Sequence, residues 1–138
     1  RLKVTAQKEE NLKLRVPKRC AVIGLTVNGN KQEVSVTEGY IAIKLQKKEP
    51  VTIELLLENK FDTEYGFIDG KEYVAFFYGC LLLAAKDVTP DRSLDKENLN
   101  PQKRIPDDGE KIGFTIDGVS YCEYAAADDY SVWMPLNE

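Results

Sequence analysis

Catalysis needs nucleophiles, acids, bases or metal ligands, and this sequence is poor in all of them. It contains no histidine, which removes the commonest general base and the commonest metal ligand together. Its three cysteines, Cys20, Cys80 and Cys122, are odd in number, widely spaced and never arranged as C-x-x-C. That spacing argues against a disulfide framework and a zinc site, and favours free thiols behaving as small buried or half-buried apolar groups. Carboxylates are abundant, 23 Asp plus Glu, so some pair always falls at a separation suited to glycoside hydrolysis, and nothing marks one pair as special. Asp107-Asp108, Glu110 and Asp128-Asp129 offer the oxygens calcium prefers, but no D-x-D-x-D-G loop spaces them, and they read as solvated acidic turns. A nucleophile elbow, a P-loop and a G-x-G-x-x-G are all missing. The expectation is a chain with no catalytic residue, no cofactor and no metal.

Aromatic rings are the remaining candidates. Tyr121, Tyr124, Tyr130 and Trp133 fall close together near the end, and Tyr73, Phe76, Phe77 and Tyr78 in the middle. An exposed ring can stack on the C–H face of a sugar, so the four late aromatics are the candidate carbohydrate contacts. Rings are also preferred strand residues and core fillers.

The elements that would carry these rings repeat with a period of two. Leu12, Leu14 and Val16 alternate with Lys13 and Arg15 until Pro17, which cannot donate to a ladder. Ile23, Leu25 and Val27 alternate up to Asn28-Gly29, a strong hairpin signal because both residues tolerate positive φ, and Gln32 to Val36 is the expected return strand. Further alternating strands follow over Tyr40–Leu45 and Val51–Leu57, with a weaker candidate over Phe61–Phe67 that ends in Asp69-Gly70. Tyr73 to Ala85 is continuously apolar apart from Gly79, as in a strand buried on both faces with a bend at the glycine. Lys86 to Glu110 holds Pro90, Pro101 and Pro106 among many charges, so a long surface loop is expected, with a short helical turn near Ser93 to Asn98. Phe114–Ile116, the turn Asp117-Gly118, Val119–Tyr124 and a short aromatic strand Tyr130–Met134 complete the chain.

About ten short strands with turns between them predict an all-β fold, an antiparallel two-sheet β-sandwich of jelly-roll type. At 138 residues the chain fits a single domain over 1–138, with the loop at 86–110. A net charge of −4 supplies no electrostatic footprint for nucleic acid. No apolar run approaches membrane-spanning length. The chain opens at Arg1, so a fragment of a larger protein is expected.

Several local patterns, in order, resemble the last domain of the β-L-arabinofuranosidase family, glycoside hydrolase family 127. They are Leu12-Lys13-Leu14-Arg15-Val16-Pro17, Leu25-Thr26-Val27-Asn28-Gly29, Gly39-Tyr40-Ile41-Ala42-Ile43, Val51-Thr52-Ile53-Glu54-Leu55, Tyr73 to Gly79, and Tyr130-Ser131-Val132-Trp133-Met134-Pro135. Lys18-Arg19 stands where that family has Gly-Trp, and Tyr78-Gly79-Cys80 where it has Arg-Gly-Pro. The resemblance implies a bacterial parent, periplasmic or cytoplasmic, whose chemistry lies in a preceding (α/α) barrel with a cysteine nucleophile, a glutamate acid/base and zinc. None of the cysteines here aligns with that motif.

Three functions remain open on this footing. The first is a non-catalytic accessory sandwich that supports the catalytic barrel of its parent chain or mediates a homodimer contact, with the 86–110 loop as the touching surface. The second is a carbohydrate-binding module acting through surface aromatics on a glycan. The third is a free-standing interaction domain.

Overall fold

The structure is a computed structural model, and it describes residues 1–137. It is all-β with antiparallel sheets, and the chain divides into two compact units, Arg1–Lys60 and Phe61–Glu138. Each unit has a hydrophobic core of its own.

The first unit contains β1 (Leu2–Thr5), β2 (Glu10–Arg15), β3 (Cys20–Val27), β4 (Asn30–Lys31), β5 (Tyr40–Leu45) and β6 (Pro50–Asn59). One sheet has the order β1-β6-β3-β4, and a second pairs β2 with β5. Period-two patterning sets which side chains meet. Ile41, Ile43 and Leu45 of β5 are buried together with Leu25 of β3 and Val51 and Ile53 of β6, and Leu12 and Leu14 of β2 pack against them. Two apolar sheet faces thus close on one core, which is the sandwich that the alternation predicts.

Two expectations for this unit change. Ile23 does not continue the alternation. The register of β3 on β6 shifts between Val22 and Gly24, and this bulge turns Ile23 out to 62% exposure while Leu25 stays buried. The return strand after Asn28-Gly29 is only Asn30–Lys31 rather than Gln32 to Val36. Val34 and Val36 are both exposed, so extending the pairing would bury no apolar surface.

The second unit contains β7 (Phe61–Ile68), β8 (Lys71–Tyr78), β9 (Leu81–Lys86), β10 (Gln102–Lys103), β11 (Gly113–Ile116), β12 (Val119–Glu123), β13 (Tyr130–Ser131) and β14 (Met134–Pro135). They form one sheet of order β10-β11-β12-β9-β8-β14, with β7 on β8 and β13 on β9. Val74, Phe76, Leu83, Ile116, Tyr121 and Met134 fill its core. Phe76 meets Tyr121 edge-on at 5.3 Å between ring centroids and lies over Phe61 at 5.6 Å.

The apolar run Tyr73 to Ala85 is a hairpin rather than one strand. Gly79 sits at φ +60°, and the two-residue turn Gly79-Cys80 brings Tyr78 opposite Leu81. Glycine in the first central position with positive φ is the signature of a type II′ turn. The interval 86–110 contains the expected helical turn, a 3₁₀ helix at Lys96–Asn98 capped by the Asp95 side chain. It is nevertheless anchored, because Leu94 is wholly buried in the core and its N–H donates to the Pro135 carbonyl at 2.8 Å. Tyr130 to Met134 is two short strands, β13 on β9 and β14 on β8.

Candidate functional site

The four late aromatics land in three different places. Tyr121 is fully buried, its hydroxyl has no partner among the described residues, and burial pushes that hydroxyl well above the ordinary tyrosine range. It offers no face to a sugar, since its ring is part of the core. Tyr124, which opens the 3₁₀ helix Tyr124–Ala126, and Tyr130 of β13 do meet. Their rings are edge-to-face at 4.9 Å and their hydroxyls share a hydrogen bond of 2.8 Å, which raises the Tyr130 pKa. Trp133 stands apart from that pair, in the segment between β13 and β14.

The surroundings of Trp133 follow from strand register. Met134 pairs with Val74, and both face the core, so Trp133 and Pro135 face the other way with Tyr73. Tyr73 pairs in turn with Gly66 of β7. The missing side chain at Gly66 makes room for the indole: a Cβ there would lie 3.4 Å from Trp133 Cζ3. The ring therefore rests on bare sheet backbone and remains 41% exposed.

Trp133 and Tyr73 line a cavity of about 420 Å³ together with Arg92, Asp129, Thr89 and Ser131. Arg92 is held in position from behind. Its Nη1 donates to the Ser93 carbonyl at 2.6 Å, and its Nη2 donates to the Asp117 carbonyl and, at 3.4 Å, to the Asp117 carboxylate. Asp117 is fixed in turn by the Asp95 N–H at 2.8 Å. Of the candidates read from the sequence only Trp133 belongs to this cavity. Tyr73 was legible as an aromatic and Asp129 only as half of an acidic pair, whereas Arg92 carried no local signal; the loop after β9 and the approach to β13 bring the last two in.

Glu110 and Asp107 of the acidic stretch are held by basic partners. Glu110 is nearly inaccessible and receives Lys86 Nζ, Arg104 Nη2 at 2.9 Å and the Asp107 N–H at 3.0 Å. Burial alone would raise its pKa, but the hydrogen bonds from Lys86, the Asp107 amide and Arg104 outweigh it and bring the group to about 2. The same bonds push the Lys86 ammonium above the usual lysine range. Asp107 also binds Lys86 at 2.9 Å, so this part of the acidic stretch is an ion-pair knot rather than a set of solvated turns.

Cys80 is exposed at the β8–β9 turn, while Cys20 and Cys122 are buried, and burial raises the Cys122 thiol pKa. Cys80 and Glu123 line one hollow of about 380 Å³, a thiol and a carboxylate together. The Glu123 carboxylate is already engaged, accepting from the Lys111 N–H at 2.7 Å and the Ile112 N–H at 3.1 Å. Burial opposes its ionisation, yet these amides lower its pKa overall, so it is a fixed anion rather than a proton donor. Among the described residues no group of three or more His, Cys, Asp or Glu is placed to hold a metal, and no helix is long and apolar enough to cross a membrane.

Comparison with known proteins adds a family dimension. Residues 1–59 match the family model described as "Beta-L-arabinofuranosidase, GH127 middle domain". The match ends at the boundary between the two compact units, so it covers the first unit. The first unit is thus similar to a GH127 middle domain. The matching model describes a middle domain, whereas the sequence motifs resemble the last domain of that family. The solved structure of a GH127 β-arabinofuranosidase resembles the chain with a TM-score of 0.61 and 19% identity, over 96% of this chain and 28% of that one. The chain thus spans under a third of that protein's length, and the likeness bears on the fold of both units, including the second, which the family model leaves out. No curated protein matches the chain.

Proposed function

We propose that this GH127-like chain is a non-catalytic accessory β domain of a glycoside hydrolase of the β-arabinofuranosidase type. The observation that carries the proposal is the middle-domain match over residues 1–59. The states of the side chains agree with it. Glu110 and Glu123, the two best-buried carboxylates, are held ionised by multiple donors, and an acid/base residue needs a pKa near the working pH. The partner in this reading is the catalytic (α/α) barrel of the parent chain. The anchored segment 86–110, stiffened by Leu94 and by the Lys86–Glu110–Arg104 knot, is the surface offered to that barrel or to a second copy in a homodimer.

Deleting residues 1–138 from the parent enzyme and following both arabinofuranoside hydrolysis and thermal midpoint tests the proposal. Lower stability with residual turnover per folded barrel supports an accessory role. Complete loss of turnover in a barrel that keeps its fold and thermal midpoint would contradict it.

A further inference from the structure

We infer that the cavity beside Trp133 is a binding subsite for a neutral sugar, with one ring seated on the indole and Tyr73. The site goes beyond the accessory role, because it would give the domain a ligand of its own. Several independent features converge on it. The indole lies against the backbone at Gly66 while Trp133 as a residue remains 41% exposed. A ring already packed on one side loses little entropy when a ligand stacks on it. Tyr73 lies on the same face by strand register, which widens the apolar floor. A volume of about 420 Å³ is in the range of small-ligand sites.

The polar rim supplies what sugar hydroxyls need. Arg92 is oriented by Ser93 and Asp117, so its guanidinium is presented at the cavity rather than mobile in solvent. Asp129 is an acceptor on the same rim, and its carboxylate has no partner among the described residues. Thr89 and Ser131 add hydroxyls. Charge selects the class of sugar. Asp117 already answers Arg92, and Asp129 follows Asp128 in the chain, so the local balance is negative and repels a uronate. The Tyr124–Tyr130 pair is a poorer platform, because its rings stand at 79° to each other and its hydroxyls are bonded to one another.

The chain holds a single tryptophan, so emission excited selectively at the indole reports on this cavity. Titration of the 138-residue chain with arabinotriose, xylotriose and trigalacturonate is expected to give a saturable change in emission with at least one neutral trisaccharide and none with the uronate. Calorimetry on variants then localises the site. Asp129→Asn and Tyr73→Ala are expected to weaken binding at least about tenfold, equivalent to roughly 1.4 kcal/mol, while Tyr124→Ala leaves it unchanged. Asp129→Asn changes neither size nor core packing, so it remains informative if Tyr73→Ala folds poorly. Absence of a saturable signal with all three sugars overturns the inference, as does equal affinity for trigalacturonate, or a loss confined to Tyr124→Ala. Parent hydrolysis does not enter the measurement, so failure here leaves the accessory role standing, and the reverse also holds.

Discussion

Single residues decide whether an aromatic or a carboxylate can act on a ligand, and those decisions depend on burial. Tyr121 illustrates the limit of the sequence, since a tyrosine in an alternating strand is equally suited to either face. The structure places it inward, with a hydroxyl that has no partner among the described residues. Tyr121→Phe is therefore expected to raise stability by about 0.5–1 kcal/mol, because an unsatisfied buried polar group is removed without loss of ring volume. Chemical denaturation checks this, and a loss of stability would show that the hydroxyl has a partner.

Glu110 gives a pH prediction at the same scale. Its pKa in the fold is about 2 against an ordinary value of 4.5. A depressed carboxyl contributes stability above its unfolded pKa and loses it as the pH falls through the folded value. The wild-type chain should accordingly lose part of its stability between about pH 4.5 and pH 2. Glu110→Gln should be less stable at neutral pH by about 1–3 kcal/mol, with a shallower decline across that window. Thermal midpoints of both proteins across the acid range provide the measurement.

Elements were legible where turn chemistry is local. Asn28-Gly29, Asp69-Gly70 and Asp117-Gly118 all adopt the paired positive φ values that their dipeptides demand, and each joins two strands. At Gly79-Cys80 the sequence marked only a bend in one strand, because the apolar residues on both sides hid the full reversal into a hairpin. Gly79→Ala should cost about 1–2 kcal/mol, since a Cβ is strained in the left-handed region. Circular dichroism melting reads that loss, and an unchanged midpoint would mean that the turn relaxes freely.

The bulge at Ile23 was invisible for a related reason. Its neighbours Leu25 and Val27 fit the alternation, and only the partner strand reveals the extra residue. Leu94 was masked by its charged surroundings. It is wholly buried, and Leu94→Ala should destabilise by about 2–5 kcal/mol, a cost typical of core truncation and not of a surface loop.

For the molecule as a whole, alternation announced an all-β fold, but it could not apportion strands between cores. Periodicity records which face of a strand is apolar and says nothing about which distant strand covers it. The division at Lys60 and Phe61 appears only in the contacts, and it coincides with the end of the GH127 middle-domain match. The Trp133 cavity was half legible for the same reason. Its aromatics stand out in the sequence, whereas Arg92, Asp129 and the bare backbone at Gly66 are gathered from separate stretches of chain.

The central claim is that this chain supports a glycosidase without performing the reaction. The most direct measurement is steady-state hydrolysis of an aryl β-L-arabinofuranoside by the purified chain, compared with buffer. The account predicts a rate indistinguishable from buffer, with or without added zinc. Saturable turnover that is abolished by Cys80→Ser or Glu123→Gln would contradict it, and would place the chemistry in the hollow those two residues share.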